Sequence, residues 1–336
     1  MTHPTRSTRL LPLAAATLCL LSLSACETNR PRPQAVDPNA KPEIKVSEGA
    51  IVLPAGANYR LVQLAEKGVK PKLYTQVRGM GDPSNEKLLF RADVAAAIGV
   101  SPVQVQRRFM DTIGKTRRYE VYDSSTSVTA EASDFVVDAQ FVGSSQQVRQ
   151  LEGGVRVAVT RVQLNANLID RYSGKPVWDA PIEAVGQTGL SSSDRMVLQP
   201  GERETDPAVQ RRLGIDYETA MQRAFDRLAA RVDAELRPMG KVVGLDGDGI
   251  SIIGGQRNGL QRGDELVVFS AGLTKIGEQQ EFVNQRALVA VRCNGVGSAT
   301  SQCDIVRRNP NREVKVGDYV ILTDHSSSGG RQALGL

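Results

Sequence analysis

Histidine is almost missing from this chain of 336 residues, which contains only His3 and His325. His3 lies in a leader-like N-terminus, and His325 lies in a Ser- and Gly-rich tail. Catalytic triads and most transition-metal sites depend on imidazole, so both are excluded for the body of the chain. The G-x-S-x-G motif of esterases does not occur either.

Two glycine-containing stretches resemble ligand-binding loops but fail on their spacing. The GKT at 114–116 would need a glycine where Phe109 stands if it were part of a phosphate loop. If the DGDG at 246–249 began a calcium loop, the third ligand would come from position 250, which is Ile250. We therefore interpret this stretch as a turn. The sequence therefore predicts no cofactor, no metal and no enzymatic activity.

Long apolar runs are missing too, except for one near the N-terminus. It covers residues 10–25, follows Arg6 and Arg9, and ends in small residues. A basic start, a short apolar run and a small-residue end are typical of a secretory signal. A membrane-spanning helix would need at least about 18 apolar residues. We therefore predict a signal peptide over residues 1–25.

Cys26 follows this run directly, and Leu23-Ser24-Ala25-Cys26 resembles the lipobox of bacterial lipoproteins. That resemblance implies that Cys26 is acylated and becomes the first residue of the mature chain. Aspartate after the cysteine tends to retain such proteins in the inner membrane, whereas this chain has Glu27. The resemblance therefore implies an outer-membrane lipid anchor at Cys26, on the periplasmic face.

The charge balance is only weakly basic once the leader is removed. The chain has 42 Lys and Arg against 37 Asp and Glu, and loss of Arg6 and Arg9 lowers its formal charge from +5 to about +3. No run of basic and aromatic residues of the kind that stacks nucleic acid bases is present. Nucleic acid is therefore not expected as a partner.

The chain has only four cysteines, and we assign an expected role to each of them. Cys19 leaves with the leader and Cys26 takes the lipid, which leaves Cys293 and Cys303 in an oxidising compartment. We predict a disulfide between them, which the chain-entropy account values at about 3 kcal/mol. The alternative, a zinc site, would need closer spacing and a second ligand pair.

After a proline-rich linker at 26–57, either a spacer or plain disorder, strands alternate with helices as far as residue 237. PKLYTQV, RRYEVYDS and SDFVVDAQFVG read as strands, and Ser101-Pro102 begins a helix. A second amphipathic helix runs to residue 236, with Asp216 as its expected N-cap. We predict an α/β domain over 58–237, a sheet flanked by helices.

The order of YEVYD, SDFVVDAQFVG, IDRYSGKPVW and the final helix resembles the CsgG-like lipoprotein family, which includes the curli-secretion channel subunit. The resemblance covers residues 58–237 and implies an assembly module that is not a catalyst. Channel-forming members carry inserted membrane-spanning hairpins. The corresponding segments of this chain are residues 141–160 and 190–212. Neither contains two strands with a continuous apolar face, and the second contains six charged residues at 194–206.

Residues 238–325 read as strands throughout, with GD turns leading into RGDELVVF and VGDYVIL. We predict a small all-β barrel or sandwich, followed by a disordered tail at 326–336. This region resembles the C-terminal domain of a flagellar assembly protein of the periplasm. Between Cys293 and Cys303 we expect a loop, NGVGSATSQ.

One basic patch stands out at the predicted Ser101 helix and its exit: Arg107, Arg108, Lys115, Arg117 and Arg118. It is either a solvated face or a surface for an acidic partner or anionic headgroups.

The sequence as a whole indicates a non-catalytic, outer-membrane-anchored lipoprotein that serves as a docking or scaffold module for envelope assembly proteins, in secretion, flagellar or peptidoglycan machinery. The alternative is a subunit of an oligomeric secretion channel of the curli type. The sequence does not decide whether the protein forms a homo-oligomer.

Overall fold

The computed structural model describes residues 47–48, 50–79, 101–277 and 279–323. The signal peptide, Cys26, most of the linker, His325 and the tail lie outside these ranges, so the predictions made for them are not tested by it. The described residues belong to one compact unit.

An α/β layer forms the first half of this unit. Its sheet runs in the order β3-β2-β4-β5-β6, and β7 and β8 also pair with β5. Strand β2 is parallel to β3 and β4, whereas β5 is antiparallel to all its neighbours. The elements are α1 (Tyr59–Glu66), β2 (Lys72–Arg78), α2 (Pro102–Gly114), β3 (Glu120–Tyr122), β4 (Phe135–Gln150), β5 (Arg156–Asp170), β6 (Lys175–Pro176), β7 (Ile182–Gln187), β8 (Met196–Leu198) and α3 (Pro207–Glu235).

The start of α2 follows the prediction. The Ser101 hydroxyl accepts from the Gln104 backbone N–H, and the Gln104 side chain accepts from the Ser101 N–H. This reciprocal capping box satisfies two donors that the first helical turn would otherwise leave unpaired. Val105, Phe109 and Ile113 then face the core, as their spacing predicts.

The predicted start of α3 at Asp216 is wrong. The helix begins at Pro207 after Asp206, so Asp216 lies in its interior and is buried. The additional turns form because Val209 and Leu213 pack against Ala158 and Leu198 of the sheet. This tertiary contact stabilises helix in a stretch whose local charge and polarity indicate a loop.

The segments at 141–160 and 190–212 are also more ordered than the sequence indicates. Strands β4 and β5 continue as one long hairpin, paired from Phe135 with Asp170 out to Gln150 with Arg156. Strand β8 pairs with its outer part, at Ala158 with Met196. The exposed face of β4 here carries Ser145, Gln147 and Arg149, so the extension is polar on the side away from α3.

The second half of the unit is a closed barrel, which confirms the α/β-plus-small-β fold class and selects barrel over sandwich. Six strands follow the order β13-β10-β9-β14-β11-β12, and β12 pairs back to β13. A short β1 adds to the outside of β13 in parallel. The strands are β1 (Ser47–Glu48), β9 (Met239–Asp246), β10 (Gly249–Ile253), β11 (Glu265–Ile276), β12 (Gln279–Val296), β13 (Thr300–Arg308) and β14 (Tyr319–Leu322).

The two GD turns of the barrel share one geometry. Asp264 and Asp318 each accept, through a carboxylate oxygen, the backbone N–H three residues upstream. The preceding Gly263 and Gly317 have φ values of 90° and 102°, which side-chain-bearing residues avoid. The repeat seen in the sequence is thus a repeated turn, placed before β11 and β14.

One apolar core joins the barrel to the α/β layer. The same buried cluster contains Tyr217 and Phe225 of α3 together with Phe269, Tyr319 and Ile321 of the barrel. A second cluster, around Val268 and Val291, fills the barrel interior. Because burial of such surface stabilises at roughly 25 cal/mol per Å², the shared core holds the two halves against each other.

Candidate functional site: a cleft beneath the barrel arm

Cys293 and Cys303 form the predicted disulfide. They face each other on neighbouring strands β12 and β13, and both are buried in the barrel interior. The expected long loop between them is wrong, because β12 continues to Val296 and β13 begins at Thr300. A shift of register between Cys293 and Gly295 absorbs the additional residue, so the strands stay paired almost to the turn.

The hairpin of β11 and β12 extends beyond the barrel as an arm, residues 270–286. The strands change register between Ser270 and Gly272, opposite Asn284, whose φ is 53°. Such a bulge bends a hairpin and increases its twist. The bend directs the arm over the α/β layer, where it contacts α1.

A group of four aromatic rings anchors the base of the arm. Phe282 of the arm lies 4.8 Å from Tyr319, 5.4 Å from Phe269 and 5.6 Å from Tyr59 between ring centroids, all close to edge-on. Edge-to-face pairs of this kind add about 0.5–1.5 kcal/mol each beyond their burial. Burial also raises the pKa of Tyr319. The arm is therefore fixed at its base.

An open cleft of about 650 Å³ lies between the arm and the α/β layer. Its walls come from residues 56–60 and Gln63 at the start of α1, from Asp170, Tyr172, Ser173 and 175–177 around the β5–β6 turn, from Glu235 at the end of α3, and from Lys275 and 279–282 of the arm. Most of this lining is polar or charged, which suits a hydrophilic chain better than an apolar small molecule.

Tyr172 forms a fixed, exposed ring at the edge of the cleft, with 54% of its surface accessible. The Asp170 carboxylate accepts its backbone N–H at 2.9 Å, which holds the turn. The Arg60 guanidinium lies 5.1 Å from the centre of the Tyr172 ring and donates to Asp134 at 2.8 Å. The cation–π contact and the ion pair together keep the ring in place.

Four charged side chains of the cleft enter none of the ion pairs formed among the described residues: Lys175, Lys275, Glu235 and Glu281. Two are positive and two are negative. The cleft thus offers both signs of charge, and its lining also includes the amides of Gln63 and Gln280. Such a lining can form hydrogen bonds and ion pairs with a segment that itself carries both signs.

Two of the five residues of the predicted basic patch form ion pairs within the fold, while Arg107 and Arg117 are exposed. Arg108 pairs with Glu218, and Lys115 pairs with Asp226 at 3.0 Å, both across to α3. Arg118 is buried. The patch therefore helps to bind α2 to α3, a role that the sequence alone did not indicate.

Neither a metal cluster nor a membrane helix is found where the structure can be described. Over those residues, no group of three or more His, Cys, Asp or Glu side chains is placed to hold an ion. None of the helices in the described ranges has the length and apolar character that a membrane crossing requires.

The sequence alone does not indicate the cleft, because its walls come from segments distant in the chain. Arg60 and Tyr172 meet only after β2, β4 and β5 have assembled. A partial signal was present in IDRYSGKPVW, where a tyrosine stands in a turn that needs no aromatic residue.

No family model matches the sequence. No curated protein matches it either.

Several solved structures show a weak likeness, over about half of this chain. A hypothetical protein from Chlamydia trachomatis has 11% identity and a TM-score of 0.28, covering 50% of this chain and 98% of that one. A minor lipoprotein from Acinetobacter baumannii has 9% identity and a TM-score of 0.26, covering 48% and 94%. A PelC dodecamer from Paraburkholderia phytofirmans has 11% identity and a TM-score of 0.21, covering 51% and 96%. Scores this low do not establish a shared fold, so the chain's own residues must indicate its function.

Proposed function

We propose that this protein is a non-catalytic lipoprotein, held at the periplasmic face of the outer membrane by acylated Cys26, that docks a polypeptide of an envelope assembly. The observation that carries the proposal is the cleft between the arm and the α/β layer. It is open and largely polar, and four of its charged side chains, two of each sign, form no ion pair with any other described residue. An extended peptide segment, with its alternating donors and acceptors, suits such a lining.

The lipobox at Leu23 to Cys26 supports the anchoring half of the proposal. One acyl chain gives only marginal membrane binding, at about 0.8 kcal/mol per buried methylene, whereas several chains give stable attachment. The residues between Cys26 and Ser47 would span at most about 60–70 Å if fully extended. That length lets the folded unit work away from the bilayer surface.

The docking half is tested by photo-crosslinking in intact cells. A photoreactive residue replaces Gln280 in the cleft, and a matched one replaces Gln302, which is exposed on the barrel. We expect a discrete crosslinked partner at position 280 that is absent at 302 and is lost when Tyr172→Ala and Lys275→Glu are added. Equal products at both positions, or none at 280, would contradict the proposal.

A secretion-channel subunit remains the second candidate because of the long β4–β5 hairpin, which occupies one of the expected insertion regions. Its polar exposed face disfavours contact with lipid, since Arg or Lys at mid-bilayer costs about 2–4 kcal/mol. We expect the Cys26→Ala protein to stay soluble without detergent and to give no conductance in planar bilayers. Stepwise currents from pure lipidated protein would favour the channel.

A further inference from the structure

One edge of the α/β sheet lies along β7 and β8. Both strands pair with β5 on one side, and no further strand pairs with them among the described residues. Helix α3 packs closely on β7, since a Cβ placed on Gly186 would meet the Ala220 carbonyl oxygen at 1.7 Å. The helix therefore lies over the face of β7, close to this edge.

Strand β7 directs alternate backbone groups away from the sheet. The Thr188 N–H donates to Thr160 on β5 at 2.9 Å, which fixes the phase of the antiparallel ladder. By that alternation, Glu183, Val185 and Gln187 turn their N–H and C=O groups outward. The six residues of this strand present an edge about 20 Å long.

Arginines from one face of α3 cover the outward carbonyls. Arg227 donates to the Val185 oxygen, and Arg223 donates to the Gln187 oxygen at 2.5 Å. Arg212, three helical turns earlier, donates to the Val197 oxygen of β8 at 3.3 Å. Spacings of eleven and four residues place the three side chains in one stripe along the helix.

A guanidinium has five donors and no acceptor. It can therefore satisfy the carbonyls of this edge but not its N–H groups. Among the residues that the structure describes, the outward N–H groups of Val185 and Gln187 have no protein acceptor. A strand added alongside β7 would supply that acceptor and would also take over the two carbonyls, but it would displace the arginines.

We propose that the β7 edge is a strand-addition site for an extended segment with acidic side chains at alternate positions. Carboxylates of the incoming strand receive the displaced Arg223 and Arg227, while its backbone completes the ladder. The chain already contains one carboxylate that binds an arginine at this edge. Arg223 donates to the Asp194 carboxylate at 2.5 Å and also to the Gln187 carbonyl. A neutral strand would leave Arg227 without its carbonyl acceptor and Arg223 with Asp194 alone, and a basic strand would add repulsion.

A second copy of this chain fits the edge less well. Strand β7 itself carries one acidic residue, Glu183, and that carboxylate already lies 3.5 Å from Arg161. If two copies paired through their β7 strands, each strand would displace two arginines of the other copy. It would offer them only one carboxylate, Glu183, which already lies near Arg161. The chemistry favours a different, more acidic partner.

The test uses the whole mature chain with Cys26 replaced, and a fluorescent seven-residue peptide of alternating glutamate and valine. Matched peptides carry glutamine or lysine in place of glutamate. We expect the acidic peptide to bind by anisotropy, to weaken with added salt, and to protect the amides of Val185 and Gln187 from hydrogen exchange. The Arg223→Ala/Arg227→Ala variant should lose at least about tenfold in affinity.

Two controls keep the result interpretable. Arg231→Ala removes one positive charge, half of what the double variant removes, from an exposed position one turn further along α3, and should change affinity by less than about twofold. The Arg223→Lys/Arg227→Lys variant keeps the charge and should retain part of the binding, which covers the case in which the alanine variant does not fold.

Three outcomes would overturn the proposal. The glutamine peptide could bind as tightly as the acidic one, or the folded double-alanine variant could bind unchanged. In the third outcome, that variant self-associates without peptide and the wild type binds none. The arginines would then only protect the edge against pairing between copies.

Discussion

Asp216 clamps the middle of α3 to the sheet, and its removal gives the sharpest stability test in this fold. Its carboxylate accepts hydrogen bonds from the Thr160 and Thr188 hydroxyls, the second at 2.9 Å. Gln146 of β4 donates to the same Thr160 hydroxyl and to the Leu213 carbonyl, both at 2.8 Å. Residues of β4, of β5 and of the segment just after β7 thus meet the middle of α3.

The Asp216→Ala variant leaves two hydroxyls without their acceptor at sites that water does not reach, since Thr160 is 0% and Thr188 is 1% exposed. Each orphaned group costs about 1–3 kcal/mol. Loss of a desolvated carboxylate offsets part of that sum, which leaves an expected destabilisation of about 2–4 kcal/mol near pH 7. Asp216→Asn keeps an oxygen for both hydroxyls and should cost less than about 1 kcal/mol.

Urea unfolding followed by the fluorescence of Trp178, the single tryptophan, measures both variants. The midpoint should fall clearly for alanine and little for asparagine, while the slope with urea stays constant. An alanine variant with the wild-type midpoint would refute the reasoning, because the clamp would then contribute nothing.

The same residue predicts a direction for the pH dependence of stability. Burial raises the pKa of Asp216, and the hydrogen bonds from Thr160 and Thr188 oppose this only in part. The stability linked to its protonated form is fully present below the unfolded pKa of about 3.9 and is lost as pH rises through the folded pKa. Wild type should therefore lose stability relative to Asp216→Asn as pH rises from about 4 to neutrality. A relative gain over that interval would contradict the sign.

Three further predictions concern other parts of the chain. Cys26→Ala should release the protein into the soluble periplasmic fraction or stall its processing, and recovery of wild-type protein without acyl chains would refute the anchor. Cys293 and Cys303 should resist alkylation until reductant is added, and reduction should loosen the barrel most, by about 3 kcal/mol; thiols that react in the native, unreduced protein would disprove the bond. Gly186→Ala should destabilise by more than about 2 kcal/mol in urea, because its Cβ would overlap the Ala220 backbone; an unchanged midpoint would show that α3 shifts freely.

Much of the secondary structure and turn structure of this protein can be predicted from the sequence, because it depends on local chemistry. The capping box at Ser101, the apolar spacing of Phe109 and Ile113, and the GD turns before β11 and β14 each depend on residues within a few positions of one another. The fold class follows from the order of such elements, since alternating strands and helices followed by strands alone leave few architectures. The disulfide could be predicted because the expected loss of Cys19 and acylation of Cys26 leave only Cys293 and Cys303 as a pair.

Tertiary contacts decided what local patterns could not. Pro207 begins α3, and Asp216 is buried in it, only because the β4–β5 hairpin supplies Ala158 as a packing surface. The cleft exists because a bulge at Asn284 bends an arm toward a turn about a hundred residues earlier in the chain. The arginine stripe on α3 has the same periodicity as any solvated helical face. Its hydrogen bonds to the edge carbonyls form only because the fold places β7 next to α3. In each case the deciding energy comes from groups far apart in sequence, which no window along the chain contains.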